Sequence, residues 1–154
     1  MFDEKNSDAF QALKKLCPDL KIDKKYVRPG EISCDGLCGI NGRHVAFYAK
    51  SEQARFEATL CLAVKAFDML DVYIVKAKEK ICQDFLPVYL MNRDENIEPE
   101  LSEEAFKEKL IVADIGVFYE NVLSLGFCDG GMFGGHVLWA NSLDKGETFI
   151  ETEM

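Results

Sequence analysis

At 154 residues, 48% hydrophobic and 29% charged, the chain has the length of one ordinary domain and a composition outside the disordered and membrane-spanning classes. It has no run of about 18 apolar residues, and its opening MFDEKNSDAF is acidic where a secretory leader is basic and then apolar, which predicts a cytoplasmic protein. A formal net charge of −9 speaks against duplex nucleic acid and anionic membranes as partners, because both recruit basic surfaces.

The chain reads as a single domain over residues 1–154, with 1–30 an N-terminal helix and connector and 32–154 the core. Asp8 to Leu16 places Ala9, Phe10, Ala12, Leu13 and Leu16 at the spacing of a short amphipathic helix that Pro18 ends. VRPGE is a turn, and from Ile32 the pattern becomes strand-like. LCGINGRHVAFYA predicts a hairpin around Asn41-Gly42, with Val45, Phe47 and Ala49 on one face. Ser51 then reads as a helix cap, with Glu52 at the positive end of the helix dipole.

The helix it opens is long. Phe56, Leu60, Ala63, Phe67, Leu70, Ile74, Ala77, Ile81 and Phe85 recur at spacings of three and four, and Leu62, Val64 and Met69 widen that stripe. Lys65, Asp68, Lys76, Glu79, Lys80 and Asp84 mark the wet side, and Pro87 predicts a stop or kink before the polar connector NRDENIEPE. Ser102 restarts a brief helix, with Glu103 and Glu104 in its first turn and Phe106 and Leu110 as anchors.

From Ile111 the period changes to two. Ile111, Ala113, Ile115, Val117 and Tyr119 form one row and, after a Glu120-Asn121 turn, Leu123, Leu125 and Phe127 form a second. HVLWANS predicts a third strand with Trp139 in the core, and Thr148 to Thr152 a fourth after the turn Asp144-Lys145-Gly146. The expected fold is α+β: an antiparallel sheet, made of an N-terminal hairpin plus a C-terminal meander, packed against one long amphipathic helix and shorter helices.

Three groups of residues invite a functional reading. The glycine run DGGMFGGH lacks the Lys-Ser/Thr and the following helix of a phosphate loop, so Gly130, Gly131, Gly134 and Gly135 are expected to shape a turn that His136 braces. Phe133 within it is either tucked over the sheet or offered to a partner. Cys128 or Asp129 with His136 is the alternative, a small thiol- or metal-dependent enzyme site in which an imidazole ionises a thiol. Cys34, Cys38 and His44, joined by Cys128 and His136, hold the residue types zinc prefers, although C-x3-C is neither a zinc nor a dithiol redox spacing. Cys61 and Cys82 fall inside the helical pattern, and all six cysteines are expected as reduced thiols. No cofactor and no metal is expected.

The third group is charge. Residues 94–108 hold Asp94, Glu95, Glu98, Glu100, Glu103, Glu104 and Glu108 against Lys107 alone, whereas residues 1–29 hold seven Lys/Arg against five Asp/Glu. Such a run is a solvated surface or a docking face for a basic partner. In the second case Glu98, Glu100, Glu103, Glu104 and Glu108, with Asp144, Glu147 and Glu151, are the expected partner-binding residues.

LSEEAFKEKL, the segment IGVFYENVLSLGFCDGGMFGGHVL, and the hairpin of Ile40–Ala49 with its following helix together resemble a bacterial family known as domain of unknown function twenty-two sixty-two. The resemblance spans roughly residues 32–147, and its specific part is Asp129-Gly130, Phe133, Gly135 and His136. Where members of that family often carry a tryptophan between the two helices, this chain has NRDENIEPE. The resemblance implies a fold and a bacterial cytosolic setting but no reaction. By analogy with small acidic domains encoded beside toxins, it suggests an immunity protein that neutralises a basic, nuclease-type toxin domain, not an enzyme.

Overall fold

The structure, a computed structural model, describes residues 2–23 and 28–154, so Val27 of the VRPGE turn lies outside the described residues. Seven strands form one sheet in chain order: β1 (Lys21–Asp23), β2 (Glu31–Ile40), β3 (Arg43–Glu52), β4 (Ile111–Phe118), β5 (Val122–Cys128), β6 (Val137–Ser142) and β7 (Glu151–Glu153). Every neighbouring pair is antiparallel except β3 and β4, which run parallel from Ala46 opposite Asp114 to Lys50 opposite Phe118. The chain between them crosses over through α2 (Phe56–Asp68), α3 (Leu70–Asn92) and α4 (Glu103–Lys109), as a parallel pair requires. The architecture is α+β.

The hairpin is where the sequence puts it. Asn41 and Gly42 take φ of 50° and 77°, the left-handed pair that matches strand twist, and Val45, Phe47 and Ala49 are all buried. α1 (Asp8–Leu16) also matches its pattern: Ser7 caps it by accepting from Phe10 N–H, and Ala9, Phe10 and Leu13 are buried. Ser102 caps α4 through Ala105 N–H, and Phe106 and Leu110 are buried beneath it.

The long helix is two. Met69, at φ −111° and ψ 23°, interrupts the ladder, so α2 stays over β3 and β4 while α3 crosses to β6 and β7. An unbroken helix over those residues would run about 55 Å beside a seven-stranded sheet about 29 Å wide. Ser51 is a buried β3 residue and Arg55 takes the cap position instead. Pro87 neither stops nor ends α3, which continues to Asn92. Pro87 and Gln83 are both exposed, so the carbonyl that lost its donor is within reach of water.

Two side-chain rows also differ from the simple alternation. A bulge between Val112 and Asp114 inserts Ala113, which turns Ile111 outward and packs Val112 against the core. Trp139 is half-buried on the face opposite Leu138 and Ala140, which are the core residues of β6. The turn after β4 centres on Tyr119 and Glu120, at φ 53° and 61°, one residue earlier than expected.

Cys17 and Cys38 form a disulfide, with Cα atoms 4.2 Å apart, so two of the six cysteines are not free thiols. The topology explains the pairing: Cys17 ends α1, and Cys38 points from β2 into the core that α1 covers. All four helices share a core with one face of the sheet, and among the described residues no helix covers the other face.

Candidate functional site

The glycine loop is built around one carboxylate. Asp129 is 2% exposed and accepts from the backbone N–H groups of Gly131, Phe133, Gly135 and His136 at 2.8–3.0 Å. Burial by itself would raise its pKa, but the four donors outweigh that and hold the carboxylate below its usual range. Gly130, Gly131, Gly134 and Gly135 all take positive φ, the conformation that turns successive N–H groups inward. The His136 ring meets the Phe133 carbonyl through Nδ1, so it does brace the loop, as a second tie beside Asp129. Phe133 is tucked under the helices, edge-on to Phe85, Tyr89 and Phe106.

The thiol-and-imidazole arrangement does not assemble. Asp129 is occupied by backbone, and among the described residues no hydrogen bond joins Cys128 to His136. Nor do the zinc-type residues converge. Cys38 is bonded to Cys17, His44 is exposed beside the hairpin turn, and burial pushes the Cys34 thiol up to about 12, far from thiolate at neutral pH. No three His, Cys, Asp or Glu side chains among the described residues are placed to hold a metal ion. No helix among them is long and apolar enough to cross a membrane.

The acidic residues fall on the two flanks of α3. Segment 98–108 runs antiparallel to that helix, and its contacts step back along it. Arg93 donates to the Glu98 carbonyl, Tyr89 to the Pro99 carbonyl, Cys82 faces the Glu103 carbonyl, Lys107 pairs with Glu79, and Glu108 lies near Lys78. Glu100, Glu103, Glu104 and Glu108 are exposed and Glu98 half-buried, and none of the five makes a salt bridge among the described residues. Lys107, the basic residue within the acidic run, is taken by Glu79.

On the opposite flank Lys76 donates to the Glu147 carbonyl and Thr152 to Asp84, which sets Glu147 and Glu151 along β6–β7. Asp144 belongs to its own turn: the Thr148 hydroxyl and N–H and the Ser142 hydroxyl hold its carboxyl down to about 2. It is not a free docking charge.

Between the flanks runs the outward stripe of α3: Val72, Val75, Glu79, Gln83, Leu86 and Leu90, one residue per turn on the side away from Ala77 and Ile81. Val75 is 67% exposed and Val72 47%; in the last turn of the helix Met91 reaches 83%, and Ile97, beyond it, 80%. Apolar side chains stand where a solvated helix carries charge. The sequence reading missed them, because inward and outward valines are alike until the neighbours are known; the cue was a helix whose wet side is interrupted by Val72 and Val75 before Lys76 and by Leu86 and Leu90 after Asp84.

Comparison of the chain with models of known families, with characterised proteins and with solved structures finds no match.

Proposed function

We propose that the protein is an interaction protein of the immunity type, which binds a basic, nuclease-type toxin domain in the cytoplasm and neutralises it. Kinship with the uncharacterised bacterial family, through Asp129, Gly130, Phe133, Gly135 and His136, belongs to this reading. The observation that carries it is the α3 surface, where Val72, Val75 and Leu90 are exposed on a face broken by Glu79 and Gln83, and carboxylates stand on both of its flanks. Apolar contacts within a charged rim are the usual anatomy of a protein interface, and carboxylates outside any salt bridge steer a basic partner towards it. Glu98, Glu100, Glu103, Glu104 and Glu108 form one rim; Glu147 and Glu151 form the other. Cytoplasmic residence is compatible with the Cys17–Cys38 bridge because both cysteines are fully buried, away from reducing thiols.

The test uses the product of the neighbouring gene as the candidate toxin. Co-expression with this chain is expected to restore growth, and the purified pair to form a stoichiometric complex. Reversing Glu103, Glu104 and Glu108 to Lys together is expected to slow association at least tenfold and to remove most of its salt dependence. Val75→Arg is expected to abolish the complex. Full binding by both variants would exclude the α3 surface, and a neighbouring product that neither harms growth nor binds would sink the immunity reading.

A further inference from the structure

The uncovered face of the sheet carries a groove of about 500 Å3 lined by Tyr48, Asp114, Phe118 and Trp139 with Asp19 and Asp35 at one end. We infer that this groove binds a small organic cation, whose ammonium or guanidinium head rests against Asp114 between the rings of Phe118 and Trp139. The inference is independent of the α3 surface.

Register builds the site. Asp114 stands between Ala46 on β3 and Gly126 on β5, two positions too small to cover its carboxylate. Both adjacent rings lean over glycine. A Cβ on Gly116 would meet the Phe118 ring at 2.8 Å, and one on Gly126 would meet the Trp139 ring at 3.0 Å. Gly116 is two residues along the strand from Asp114, on the same face, and Gly126 is its cross-strand neighbour, so the two rings approach the carboxylate from two directions. Tyr48 packs against Phe118, with centroids 5.8 Å apart, and extends that wall.

The charge of the groove selects the ligand. Among the described residues its lining includes three aspartates and no lysine, arginine or histidine. Asp19 is engaged by Leu37 N–H at 2.9 Å, whereas the half-buried Asp114 carboxylate has no hydrogen bond or salt bridge among the described residues. Burial raises the Asp114 pKa, the response of a carboxylate short of water and of a counter-charge. Lys50, on the same sheet face, is paired with Glu31 at 3.5 Å. Aromatic faces attract cations through their quadrupole, and a carboxylate behind them supplies the formal charge, so an anion or a purely apolar ligand fits poorly. The volume is in the range of small-ligand sites.

Trp139 is the chain's only tryptophan, so its fluorescence reports on this groove. The full chain is titrated with choline, ethylammonium and ethylguanidinium, and with 3,3-dimethylbutan-1-ol, the uncharged counterpart of choline. At least one cation is expected to change the Trp139 emission saturably, and the uncharged probe to bind at least tenfold more weakly. Asp114→Asn, with its fold checked by circular dichroism, is expected to weaken the cation at least tenfold. Ala46→Leu, which fills the floor beside Asp114, is a second variant expected to do the same. The assignment is overturned if no cation saturates the signal, if the uncharged probe matches the cation, or if both variants bind as the parent does. Nα-acetyl-lysinamide and Nα-acetyl-argininamide separate the sources: tighter binding by these identifies a partner's side chain, tighter binding by choline a free ligand, and either supports the cation site.

Discussion

Asp129 shows how much one side chain can organise. Its carboxylate accepts four backbone N–H groups, and hydrogen bonds to a charged group contribute roughly 1.5–3 kcal/mol each. Asp129→Ala is expected to cost at least about 3 kcal/mol in a urea melt, because four backbone donors lose one charged acceptor together. With the folded pKa depressed, that contribution is present above the unfolded value of about 3.9 and is lost as pH falls below it. Asp114 has the opposite sign. Its folded pKa is raised, so the charged form is penalised in the native state at neutral pH. Asp114→Asn is expected to raise the Tm at pH 7, with the gain vanishing below about pH 3, where the carboxyl is protonated in both states. A Tm that falls at pH 7 would show that Asp114 has a native counter-charge.

At the scale of elements, the helices separate local preference from tertiary demand. The cap at Ser102 was legible because a hydroxyl before an acidic, apolar-periodic run is a local signal, and the structure adds a second one at Ser7. Ser51 has the same local look, yet β3 extends through it, since its pairing with Ile32 of β2 outweighs a cap. Pro87 was read as a stop or kink, and α3 continues through it where the freed carbonyl faces solvent. Pro87→Ala is expected to stabilise the protein by about 1–3 kcal/mol in thermal melts, as it restores a helix bond and removes a ring clash. The break at Met69 has no proline or glycine to announce it; it follows from the need to carry the chain across the sheet. The bulge at Ala113 likewise left no local mark, and it moved Ile111 from the expected core row to the surface.

For the whole molecule, chain order and sheet order coincide, and a single parallel junction between β3 and β4 sends α2, α3 and α4 across one face. That choice leaves the other face free for the groove around Asp114. The Cys17–Cys38 bridge ties the end of α1 to β2 across 21 positions, a loop whose closure contributes roughly 3 kcal/mol through the unfolded state. Cys17→Ala with Cys38→Ala is expected to lower stability by about that amount in denaturant, and a loss below about 1 kcal/mol would show that packing alone holds α1 in place.

The sequence by itself determined the element types, the Asn41-Gly42 hairpin, the buried stripe from Phe56 to Phe85 and the core row Leu123, Leu125 and Phe127, because periodicity and turn chemistry act between near neighbours. It also marked the acidic run and the glycine loop as the unusual stretches. Only the tertiary structure decided that Asp129 is the loop's organiser, that Cys17 meets Cys38, that the acids line two flanks of a helix face with exposed valines, and that Trp139, Phe118 and Asp114 share the face of the sheet opposite the core. Those outcomes depend on strand register and on which face each helix covers, and contacts between residues tens of positions apart are set by packing the whole chain at once.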